Sequence, residues 1–245
     1  MHESPSALEE ERRHHSFVDP HRQLGWFADM ILGGQDGLVN TLGVVLGVAA
    51  ATSNNRIVLA AGLAATFAES ASMAAVAYTS SVASGEYFQS ERAREYRHIT
   101  AAPNLERQEV RALYARKGFD GELLERIVAT ITADKDVWVA VMMAEEHELR
   151  NVDRMTSFKS AMRVGLAALI GSLLPLPPFL FMSTRSATWT SFAIAAALLF
   201  SVGAYKAQVT VGRPLRGAIE LTLIGAIASL CGYAAGVLFR VPNVF

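Results

Sequence analysis

Five long apolar stretches dominate this sequence, at about 27–52, 57–84, 161–182, 189–211 and 215–239. A helix that crosses a bilayer needs roughly 20 mostly apolar residues, and each stretch is long enough. Inside lipid the backbone must satisfy its own hydrogen bonds, so continuous apolar runs of this length close as helices. The fold class that follows is an all-α membrane protein with five transmembrane helices. The first stretch carries Gly33-Gly34-Gln35-Asp36-Gly37 near its start, and the third ends in Pro175, Pro177 and Pro178, which should kink or break it. Stretches one and two are joined by Ser53-Asn54-Asn55-Arg56, a polar turn that makes them an antiparallel hairpin.

The 22 basic and 23 acidic residues nearly cancel, which gives no support to a nucleic-acid partner. They are unevenly placed, crowding into the first 22 residues and into about 86–163. The chain therefore divides into a polar N-terminal tail (1–24), transmembrane helices 1–2 (25–85), a charged helical insert (86–160) and transmembrane helices 3–5 (161–245). With the N-terminus in the cytoplasm, the external segments hold only Arg56, Arg185 and Arg240. All other basic residues, the insert's included, then fall inside, as the positive-inside bias requires. The acidic start, Glu9-Glu10-Glu11, does not read as a cleavable signal peptide. A single cysteine, Cys231, excludes an intrachain disulfide and a paired-thiol metal site. Within the insert the pattern predicts helices over 85–99, 104–117, 122–132 and 135–151, with Gly118, Asp120 and Asp134 as capping residues. The first of these continues the second transmembrane helix.

Carboxylates inside apolar segments are expensive and face a cavity, an ion or a partner. Asp36 lies about ten residues into the first segment among glycines that allow an unwound or closely packed backbone. Asp29, one heptad earlier, sits toward the interface, and Glu69 lies in the second segment with Met73 one turn on. In the insert, Glu91, Glu95 and His98 share one helix stripe, Glu106 and Glu109 form an i, i+3 pair, and Met142 and Met143 precede Glu146. Carboxylate, imidazole and thioether together suit Fe²⁺, Mn²⁺ or Zn²⁺ rather than Ca²⁺. The same spacings also describe a solvated face of charged pairs, and spacing alone does not separate the two. The tail histidines His14, His15 and His21 could collect metal weakly or simply be solvated.

These residues also carry a resemblance. The run 31–39, with Asp36-Gly37-Leu38, resembles the first-helix signature of the vacuolar iron transporter family, and Leu46 to Ala51 continues it in the bacterial style. Ser72-Met73 is similar to the second-helix motif, 171–178 to the proline-broken third helix, and 223–229 to the fifth. The resemblance covers roughly 25–240 in order.

It implies a homodimeric five-helix transporter that moves Fe²⁺ or Mn²⁺ out of the cytoplasm in exchange for protons, in a bacterial cytoplasmic membrane, with no prosthetic group. It implies an ion path through Asp36 and Met73, with Asp29 nearer the cytoplasmic mouth. Cytoplasmic ligands would be Glu95, His98, Glu106, Glu109, Met142, Met143 and Glu146. His98 stands where a glutamate is usual, which could shift preference toward Zn²⁺ or Mn²⁺. Ala65 stands where some members carry a second-helix glutamate, which Glu69 could replace. The competing readings are a membrane-anchored di-iron ferroxidase and a metal sensor. The first rests on Glu95-x-x-His98, but the segment 145–148 supplies no second Glu-x-x-His. A sensor leaves Asp36 unexplained. The chain is expected not to be an enzyme.

Overall fold

A computed structural model describes residue 9 and residues 25–147, 152–210 and 212–240. The tail histidines His14, His15 and His21 lie outside the described residues, as does the expected helix end at 148–151. No strand occurs among the described residues. The helices are α1 (Gly25–Ala51), α2 (Asn55–Ala101), α3 (Pro103–Arg116), α4 (Gly121–Thr132), α5 (Lys135–Glu145), α6 (Arg154–Leu173), α7 (Pro178–Phe181), α8 (Thr184–Thr210) and α9 (Pro214–Leu238). Among the described residues, five segments are long and apolar enough to cross a membrane: α1, α2, Arg154–Phe181, α8 and α9. The chain resolves into two compact units, the described residues of Met1–Ala74 with Met162–Phe245, and Ala75–Ala161.

In the first unit the glycine-rich stretch of α1 does not unwind. The helix runs unbroken from Gly25 to Ala51, and the glycines serve close packing instead. A methyl group on Gly33 would lie 2.1 Å from the Val164 carbonyl oxygen of α6, and one on Gly37 2.4 Å from that of Ala168. The other end of α1 meets α9 in the same way: a methyl on Gly236 would come within 1.8 Å of the Gly47 carbonyl oxygen. Lipid tails are as apolar as side chains, so backbone approach through small residues is what draws membrane helices together. Leu38, Leu42 and Leu46 of α1 then pack with Ala195 and Leu199 of α8 and Leu221 of α9.

The prolines end α6 at Leu173, as their fixed φ and missing donor require. The irregular turn that follows is tied down. Ser191 Oγ donates to the Pro175 carbonyl at 2.6 Å, and Phe179 is buried against Val45, Val58 and Leu176. Asn55, at the start of α2, donates from Nδ2 to the Phe179 and Met182 carbonyls at 2.9 and 2.7 Å, which joins the α1–α2 turn to the broken end of the third span.

The second unit has its own core. Ile99 of α2, Val110 and Leu113 of α3, Leu124, Val128 and Ile131 of α4, and Trp138, Val139, Met142 and Met143 of α5 form one buried cluster. Asp134 caps α5 by accepting from the Asp136 and Val137 amides. Gly118 takes φ +92°, the left-handed conformation that ends α3. The last insert helix stops at Glu145, with Glu146 as its C-terminal cap, short of the expected 151.

Gly236→Leu is expected to lower thermal stability, since forcing a side chain into this backbone contact costs about 1–3 kcal/mol or more. Gly25→Ala, where nothing lies within 4 Å, should leave the melting temperature unchanged. Thermal melts of the purified protein in detergent would compare the two.

Candidate metal path and metal centre

Two groups of ionisable residues are built, one in each unit. In the first, α1 turns Asp36 and Asn40, one turn apart, to the same face. From α2, Glu69 reaches that face: Asn40 Nδ2 donates to Glu69 Oε2, and the Asp36 and Glu69 carboxyl groups lie close enough to act on one another. Two carboxyl groups in contact need a proton or a cation between them, because the bare like-charge pair is disfavoured. Met73 lies one turn further along α2, half-buried. Asp36 is exposed in the single chain and lines a groove of about 660 Å³. Asn40, Gly43 and Gly47 of α1 and Gly232 and Gly236 of α9 line the same groove. Asp29 is engaged elsewhere, its Oδ2 lying 2.9 Å from Arg163 Nη2 on α6.

In the second unit, α2 presents Glu95 and His98, and α3 presents Glu106. Their donor atoms all lie within 4.8 Å of one another. His98 Nδ1 is 3.5 Å from Glu106 Oε1 and 3.9 Å from Glu95 Oε1. Glu95 and Glu106 are each only 3% exposed, and the second oxygen of each, Oε2, is buried without a hydrogen-bond partner. Buried carboxylate oxygens are ordinarily satisfied, so these two orphaned acceptors fit a site that takes a cation. Glu109 and Glu146 are close enough for their charges to act on Glu106. Burial first, then the charges of Glu109 and Glu95, push the Glu106 carboxyl up to about 7. Burial and the Glu109 charge also raise Glu146, against the opposing effects of His147 and Arg116.

Sequence reasoning passed over two participants. His147 Nε2 lies 3.1 Å from Glu95 Oε1, so a second imidazole joins the cluster. Its only signal was its position next to Glu146. Asn40, the partner of Glu69, was readable in principle as the residue one turn after Asp36. Glu91 shares the Glu95 stripe but is paired with Arg94 at 3.1 Å, leaving its charge answered. Met142 and Met143 are both buried in the apolar cluster of this unit.

The VIT family model matches residues 27–237. The chain belongs to the VIT family. Among its relatives is a rice protein named vacuolar iron transporter 1, 30% identical over 222 residues, 90% of this chain and 88% of that one. An Arabidopsis thaliana protein of the same name is 30% identical over 206 residues, covering 84% and 82%. A Plasmodium falciparum protein named vacuolar iron transporter is 28% identical over 222 residues, covering 86% and 81%. Members of this family are transporters, not enzymes, and the ferroxidase alternative falls with that. The five apolar helices and these relatives make the protein an integral membrane protein that moves metal ions.

The raised Glu106 carboxyl has a stability consequence. Its folded value near 7 stands above the ordinary 4.5, so the folded state holds the proton more tightly than the unfolded one. Its contribution is present below about pH 4.5 and is lost as pH rises toward 7. In chelator, Glu106→Gln should therefore melt several degrees above the parent at pH 8 and lose that advantage by pH 4.5, measured as melting temperature against pH.

Proposed function

We propose that the protein is a proton-coupled transporter carrying Fe²⁺ and Mn²⁺ out of the cytoplasm, acting as a homodimer with its N-terminus and its metal-binding unit in the cytoplasm. The observation that carries this reading is the meeting of Asp36 with Glu69 on membrane-spanning helices. A carboxyl pair of this kind exchanges a proton for a divalent ion without any change of covalent chemistry. Met73, one turn from Glu69, adds a soft ligand that holds these metals weakly enough to release them. Iron as cargo is supported by the names of the relatives. Orientation is supported by the distribution of Lys and Arg.

The dimer is supported by exposure. In a single chain Asp36 and Asn40 would open onto lipid through a groove about 660 Å³ in volume, lined by small residues. A charged group there is costly by a few kcal/mol, and a second copy laid over the groove removes it from lipid. The cluster of Glu95, His98, Glu106, Glu109, Glu146 and His147 collects ions on the cytoplasmic side. Its ligands bind metal only when deprotonated, so loading weakens as pH falls.

In liposomes with an imposed pH gradient, Fe²⁺ and Mn²⁺ flux is expected to fall to the level of empty liposomes in Asp36→Ala. Gradient-independent flux, or full flux in that variant, would overturn the mechanism. Glu95→Ala with Glu106→Ala should instead raise the metal concentration for half-maximal flux by about 10-fold or more, while leaving the maximal rate largely intact.

A further inference from the structure

At one end of helices α8 and α9 lies a pocket of about 380 Å³ that the metal path does not use. Lys206 near the end of α8, Arg213 just before α9, and Arg216 in its first turn all line it. One carboxylate, Glu220, shares the lining, which leaves cations in excess by two. Among the described residues none of these three cationic side chains forms an ion pair or a hydrogen bond. The floor is rigid: α8 and α9 approach so closely that a methyl on Gly203 would lie 2.5 Å from the Gly217 carbonyl oxygen. Beside it, and sharing Arg213, Arg216 and Glu220, runs a second cavity of about 710 Å³. Its other lining is apolar, Pro214, Leu215, Ile219 and Leu223. Leu215, Ile219 and Leu223 fall at i, i+4, i+8 and are 66%, 46% and 56% exposed, so they form an apolar stripe along α9.

We propose that this double pocket binds an anionic phospholipid, its phosphate held by Lys206, Arg213 and Arg216 and an acyl chain lying along Leu215, Ile219 and Leu223. The place is the end of two membrane spans, where headgroups sit. Unpaired cations at that depth draw anionic lipid, and the guanidinium fork matches a phosphate bidentately. The apolar stripe runs along α9 from the level of Arg213 and Arg216 to Leu223, with the cations at its start, as in the polarity order of a lipid. A zwitterionic headgroup brings its own cation and leaves the excess charge unanswered. The proposal is independent of which ion is transported and of the direction of flux.

Native mass spectrometry of the full-length protein, titrated with phosphatidylglycerol or phosphatidylethanolamine, tests it. Phosphatidylglycerol is expected to bind at least tenfold more tightly. Replacing Lys206, Arg213 and Arg216 together with Gln should remove that preference, since each basic residue is worth about fivefold. Lys206→Arg, which keeps the charge and adds a guanidinium fork, should keep it. Equal binding of the two lipids, or a preference untouched by the Gln substitutions, overturns the proposal. Inorganic phosphate that displaces phosphatidylglycerol at low millimolar concentration would mark a free-phosphate site and overturn it as well. Should the triple Gln variant fail to fold, Arg213→Gln alone must weaken phosphatidylglycerol binding by about fivefold, and no change there counts against the site.

Discussion

Helix α1 is pressed against two neighbours at once through glycine, toward α6 at Gly33 and Gly37 and toward α9 at Gly47. That double contact decides where Asp36 can go. The faces occupied by α6 and α9 are closed to it, and the carboxyl is left on the remaining face, toward Glu69 and the open groove. The contacts run backbone to backbone, so even a methyl group would separate the helices. With them apart, the meeting of Asp36 with Glu69, the support of Asn40 and the shape of the groove would all go. Close helix packing is thus the condition for the meeting of Asp36 with Glu69, not an accompaniment to it.

The two ionisable groups use one device in different surroundings. Each sets carboxyl groups against one another with too few hydrogen-bond donors to satisfy them. In the membrane that leaves Asp36 with Glu69, and in the helical unit it leaves Glu106 with Glu109 beside the orphaned oxygens of Glu95 and Glu106. A packed protein tolerates such an arrangement when protons fill it in one condition and a cation in another. Imidazole from His98 and His147 stands beside the carboxyl groups of the second group.

The helical unit has a reason to fold as it does. Its apolar cluster, anchored by Trp138 and Val110, fixes α3, α4 and α5 on the far end of α2. Glu106 and Val110 are one turn apart on α3 and both buried, so the same packing that hides Val110 drives the Glu106 carboxyl inward. Burying a carboxyl this way favours its protonated form in the fold, which is why its titration is displaced upward.

The sequence by itself determined the spans, the helical class and most of the acids at both centres, because apolar length and i, i+4 spacing are local properties read along the chain. The continuation of the second span to Ala101 and the proline break after Leu173 were legible for the same reason. Only the tertiary structure decided that the glycines of α1 pack rather than unwind, since the choice depends on Val164 and Ala168, far along the chain. It also decided that Glu69 meets Asp36, that Arg163 engages Asp29, that Glu91 is answered by Arg94 while Glu95 is not, and that His147 joins the cluster. Each of these depends on which side chain arrives opposite another. Spacing along one helix places a residue on a face, and only the packing of separate helices says what that face meets.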